Sequence, residues 1–159
     1  MITTLALAIA TIAADTTVPA TKSQRLEIDV FAGSVTVRSW NRDAVKVEGA
    51  TGRRDNLEVD SRSGVVSVET SGRYGPASSA DLVITIPVGM PVEVSGVELD
   101  VTIEGCRCAM RVETVQGNVV ASGGEGSASL TSVEGSVSVT GVNGKVQVNS
   151  VNDDVTVRD

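Results

Sequence analysis

The chain has 159 residues, enough for one domain or one continuous stack. Its net charge of -7, without a single histidine, makes a phosphate backbone an unfavourable partner. One Trp, one Tyr and one Phe leave little to stack on nucleic acid bases. Val, Gly, Ser and Thr dominate instead, a strand-and-turn composition in which no long helix is legible after residue 20.

Residues 1–14 are uncharged and include Ile2, Leu5, Leu7, Ile9 and Ile12, closing on small residues. This run is too short for a bilayer-spanning helix, which needs ~20 residues, so no transmembrane span is expected. It matches the apolar core and cleavage region of a secretory signal peptide, although no Lys or Arg precedes Lys22. An apolar N-terminal strand is the alternative. With a signal peptide the protein is exported, to the periplasm, the cell surface or the medium. Residues 15–24 read as a linker and 25–159 as one β domain.

Between 25 and 89 apolar pairs alternate with polar residues: Ile28/Val30, Val35/Val37, Val45/Val47, Leu57/Val59, Val66/Val68 and Ile84/Ile86. Period-two alternation marks strands with one buried face. The spacing is irregular because loops intervene. The longest, residues 69–80, carries Arg73 and Tyr74, a candidate contact site on the ground that long loops on rigid scaffolds often carry function.

From Met90 onward the sequence repeats every nine residues. Third positions read Val92, Val101, Met110, Val119, Ala128, Val137, Val146 and Val155; fifth positions read Val94, Ile103, Val112, Ala121, Leu130, Val139, Val148 and Val157. Small residues follow at the seventh place, and the eighth (Val97, Cys106, Val115, Gly124, Val133, Val142, Val151) is expected to tuck back into the core. Thr114-Val115-Gln116-Gly117, Ser132-Val133-Glu134-Gly135 and Ser150-Val151-Asn152-Asp153 align at eighteen rather than nine. The predicted fold is an all-β parallel solenoid, β-roll or β-helix-like, with two strand-turn blocks per coil: irregular rungs over 25–89, regular repeats over 90–159. The rival, an antiparallel meander turning at Asn143-Gly144, needs no period of eighteen.

Phe31-Ala32-Gly33-Ser34-Val35-Thr36-Val37, then Trp40-Asn41-Arg42-Asp43-Ala44-Val45-Lys46-Val47, then Asp81-Leu82-Val83-Ile84-Thr85-Ile86-Pro87 and the Gly-x-Val-x-Val tail follow one another in a distinctive order. Over residues 25–159 this order resembles the bacterial putative-adhesin family of β-strand-repeat proteins, a domain of unknown function. The resemblance implies an exported or surface-exposed β-solenoid and brings no catalytic or ligand-binding residues with it.

Chemistry is sparse. Cys106-x-Cys108 is no zinc pair, lacking both C-x-x-C spacing and histidine; a buried thiol in a valine slot and a disulfide across the turn are the two readings. Nonapeptide calcium rolls place a ligand Asp where this chain has Ala128, Val137, Val146 and Val155, and an apolar side chain cannot coordinate a hard cation. Neither cofactor nor metal is expected, and no base, nucleophile and carboxylate set converges on a catalytic site.

A period of eighteen stacks Thr102, Val120, Ser138 and Thr156 as one outward ladder, with Asp100, Asn118, Ser136 and Asp154 beside it. Glu93, Arg111, Ser129 and Gln147 line the opposite side. The first ladder is flat and small, suited to a glycan or a cell-surface protein; Thr102, Val120, Ser138, Thr156, Asn118 and Ser136 are the candidate binding face. Repeats continue to Val157, where Asp153, Asp154, Arg158 and Asp159 bring charge, so self-association through the C-terminal edge is a further expected contact.

Overall fold

A computed structural model describes residues 13–53, 55–72, 75 and 79–158. These residues are all-β: strands follow one another in a single mixed sheet that does not close on itself.

The second half is the more regular. Strand β8 (Val92–Glu104) is long enough to serve two ladders. Its C-terminal part pairs in parallel with β10 (Val119–Ser122), which pairs with β12 (Val137–Thr140) and that with β14 (Val155–Arg158). Its N-terminal part pairs in parallel with β9 (Met110–Gln116), then β11 (Glu125–Glu134) and β13 (Asn143–Ser150). Every pairing steps by eighteen residues, as in Val101↔Val119↔Val137↔Val155. Asn143 and Gly144 lie inside β13, parallel to β11, so the hairpin meander is ruled out. Third- and fifth-place side chains of both ladders meet in one apolar core, where Val119, Val137 and Val139 join Met110, Val112 and Leu130, each 3% exposed or less.

The first half departs from the expected parallel coils. Of its strands, β2 (Arg25–Asp29) and β3 (Ala32–Trp40) pair in parallel with β8. Strands β6 (Val65–Gly72) and β7 (Ala80–Pro87) pair in parallel with β2 and β3 respectively. However, β4 (Ala44–Thr51) is antiparallel to β7, β1 (Ala13–Pro19) to β4, and β5 (Asp55–Arg62) to β6. For β5 and β6 connection length is the reason, because a parallel return needs a crossover of a dozen or more residues. Ser63 and Gly64 (φ 51° and 82°) instead make a two-residue turn whose twist suits an antiparallel hairpin. The solenoid reading therefore fails for the outer strands of residues 25–89.

The stretch expected as a linker, 15–24, contains most of β1, with Val18 packed on the core and Pro19 at the strand's end. Residues 1–12, most of the segment read as a signal peptide, lie outside the described residues.

The two kinds of corner are not equivalent, which corrects the reading of the eighth position. Where the seventh residue is Gly105, Gly123 or Gly141 (φ 59°, 70° and 63°), the left-handed turn sends the eighth residue inward. Cys106 and Gly124 are accordingly buried and Val142 partly so. Where the seventh is Thr114 or Ser132, that side chain itself fills the corner. It is 4% or 0% exposed, and its hydroxyl donates to carbonyls such as Leu99 O (3.4 Å) and Gly117 O (3.1 Å) respectively. The eighth residue then points out: Val115, Val133 and Val151, after Thr114, Ser132 and Ser150, are 37–67% exposed, and Val97 is 37% exposed after Gly96, which lacks the left-handed φ of the other glycine corners.

At the Gly105 corner the two cysteines resolve to a disulfide. Cys106 and Cys108 are bonded with their Cα atoms 5.2 Å apart, and both side chains are buried. The free-thiol reading is thereby overturned. Arg107 between them takes φ 45°, which carries its own side chain outward while its neighbours turn in.

Candidate functional site

The face singled out by the repeat is assembled as a row. Thr102, Val120, Ser138 and Thr156 stand opposite one another across β8, β10, β12 and β14, and Thr36 of β3 extends the row beyond Thr102. Val120 is well exposed, whereas Thr102, Ser138 and Thr156 are half-buried against their neighbours in the row. Strands stack at ~4.8 Å, so the five side chains form a narrow flat strip. None of them carries charge.

Asn118 and Ser136 are brought beside this strip, but their side chains are already engaged. The Asn118 backbone N–H donates to Asp100 Oδ1 at 2.7 Å. One rung on, the Ser136 N–H and hydroxyl both donate to Asn118 Oδ1, at 3.1 and 2.9 Å. Such rung-to-rung bonds fix register, and they leave less of the polar capacity of this second row free for a ligand. Arg73 and Tyr74, the loop candidates, lie outside the described residues.

The opposite side is different in charge. Glu93, Arg111, Ser129 and Gln147 stack as expected. Arg111 donates to Glu113 at 2.6 Å and lies 3.9 Å from Glu93; the hydrogen bond to Glu113, then the charges of Glu113 and Glu93, hold its guanidinium pKa above the usual value. A shallow cleft of about 210 Å³ is lined by Glu27, Asp29, Ser67, Glu69, Glu93 and Ser95, an acidic surface that disfavours anionic ligands. Among the described residues no group of three or more His, Cys, Asp or Glu is arranged to hold a metal ion.

One surface escaped the sequence reading. Phe31, Val97, Val115, Val133 and Val151 lie on successive rungs along the hydroxyl-filled corner, all at least 37% exposed. Phe31 O accepts the N–H of Val97 at 3.0 Å, which sets the aromatic ring at the head of the row. The signal was present in the sequence. Thr or Ser, rather than Gly, precedes Val115, Val133 and Val151.

No protein-family model matches the chain, and no curated protein matches it. Among the described residues no helix is long and apolar enough to cross a membrane. The structure is similar to the crystal structure of a putative cell adhesion protein from Clostridium sporogenes ATCC 15579, with a TM-score of 0.63 and 7% identity over 92% of this chain and 99% of that one. Putative adhesins from Parabacteroides merdae ATCC 43184 and Parabacteroides distasonis ATCC 8503 align with TM-scores of 0.32 and 0.26 and 10% and 9% identity, over 92% of this chain and 95% and 97% of theirs. At 7% identity the first of these likenesses speaks for the fold alone: the chain shares the overall architecture of a bacterial protein of the kind its sequence resembles.

Proposed function

We propose that this chain is a non-catalytic, exported β-strand-repeat module of the bacterial surface or periplasm, acting as an adhesin or structural scaffold. Its regular half, residues 90–159, is read as a β-solenoid of two strand-turn blocks per coil. The observation that carries the functional reading is the uncharged, in-register strip of Thr36, Thr102, Val120, Ser138 and Thr156. A rigid flat row of small side chains suits contact with an extended surface and offers no pocket for turnover. Shared fold with a protein described as a putative cell adhesion protein supports the same reading.

The second reading is a polysaccharide- or protein-binding accessory domain of the cell envelope, using the same strip. Glycan-array binding that disappears in Ser138→Lys and Thr156→Lys is the expected result for a ligand reader. Binding unaffected by either lysine would remove the strip from the argument, and hydrolysis or elimination on an acidic polysaccharide would overturn the non-catalytic role. Export is checked by N-terminal sequencing of the secreted product, expected to begin at Asp15. An intact Met1 on the mature protein would refute the signal-peptide reading.

A further inference from the structure

The outer edges of β13 and β14 combine three properties. The first is exposed core. Val155 and Val157 occupy the same inward places as Val119, Ala121, Val137 and Val139, yet are 44% and 51% exposed where those four are 1% or less. The second is an orderly set of unpaired backbone groups. Val137 N–H donates to Asp154 O (3.0 Å) and Gly141 N–H to Arg158 O (2.9 Å), so in a parallel ladder Asp154, Thr156 and Arg158 face β12. Val155 and Val157 are left with their N–H and C=O directed away from the sheet. Likewise Asn143 N–H donates to Gly124 O (2.8 Å), which turns the groups of Val146 and Val148 outward. The third is charge: Asp154 and Arg158 flank the strand at opposite ends, both exposed and without an ion-pair partner among the described residues.

We propose that this edge is a homodimer interface in which β14 pairs antiparallel with β14 of a second copy about a twofold axis through Thr156. The arithmetic of that register is self-complementary. Val155 faces the partner's Val157, and both are residues whose backbone groups point outward, so each pair exchanges N–H and C=O as an antiparallel ladder requires. Asp154 faces the partner's Arg158 at both ends. Thr156 faces its own mate. The same axis passes through Gln147, nine residues earlier at the same place in its block, and sets Val146 against the partner's Val148 in β13. Two half-covered cores thus become one, and two aggregation-prone edges are removed in a closed assembly.

This inference rests on the stacked-coil reading of residues 90–159 and is independent of ligand capture, so glycan binding can fail without touching it. Sedimentation equilibrium of the 159-residue chain is expected to give twice the monomer mass. Arg158→Asp, which sets like charges opposite each other at both ends, is expected to weaken the dimer about tenfold. Asp154→Arg is expected to do the same, and the double variant Asp154→Arg/Arg158→Asp to restore it, with unchanged circular dichroism throughout. A monomer at all concentrations overturns the proposal. So does a double variant no tighter than the single ones, or growth into open-ended fibres, which would mean head-to-tail addition.

Discussion

Val137→Asp is expected to lower the melting temperature by about 10 °C or more, the cost of placing an unpaired carboxylate in an apolar interior being about 4 kcal/mol. Val137 is 1% exposed, sits between Val119 and Val155 in one ladder, and faces the core shared with Met110, Ala128 and Leu130. Nothing within that cluster can donate a hydrogen bond to the new group, since its members are aliphatic or sulfur-bearing side chains. The loss also has a pH signature. Burial raises the folded-state pKa of the introduced carboxyl above its unfolded value of about 3.9. The deficit relative to the parent is therefore smallest below that unfolded value, and it grows as pH rises until the folded pKa is passed. Ser138→Asp, one residue along and facing out, is the control and is expected to stay within about 0.5 kcal/mol. Thermal melts by circular dichroism between acid and neutral pH check all of this, and an unshifted Val137→Asp melt would refute its inward placement.

Gly135→Ala is the second substitution with a large expected cost, about 3 kcal/mol or more. Gly135 adopts φ 147°, a region an L side chain rarely enters. A Cβ built there would overlap the carbonyl of Gly117 on the preceding rung and lie 3.1 Å from the Ser132 hydroxyl. Relief would require two rungs to separate at a corner where Ser132 already holds the Gly117 carbonyl. Strain and overlap therefore add. Gly141→Ala separates these terms. Its φ of 63° is also left-handed, but no atom lies within 4 Å of the added methyl, so only the conformational cost of about 1 kcal/mol is expected. Equal losses at both sites, measured by urea unfolding, would show that rung spacing at the hydroxyl corner is not tight.

The disulfide adds a smaller contribution. It closes a loop only two residues apart in sequence, so the chain entropy it removes is small, of the order of 1–2 kcal/mol. Reduction is expected to lower stability modestly without unfolding the stack, because most of the core lies outside that corner.

Much of the regular half was legible from the residues. Alternation of Val119, Ala121, Val137 and Val139 with Val120 and Ser138 assigns faces, because strand side chains point to opposite sides in turn. The recurrence of Thr114, Ser132 and Ser150 at eighteen residues fixes which strands are neighbours, since like residues stack on like. The candidate strip followed from those two facts, and the structure brings Thr102, Val120, Ser138 and Thr156 into one row. The valine row headed by Phe31 differs from the inward placement expected because eighth-place residues play two roles, outward at Val115 and Val133 and inward at Cys106 and Val142. Whether that place faces in or out depends on how the preceding residue fills the corner.

By itself, then, the sequence determined the period, the buried face and the strand partners of residues 90–159, because side-chain alternation and repeat length are local properties of a chain. Only the tertiary structure decided two further matters: the antiparallel outer strands β1, β4 and β5, and the bonding of Cys106 to Cys108. Each depends on which edge or sulfur the folded chain leaves within reach. The pattern of apolar residues is the same for a strand paired in either direction, and so carries no record of that choice.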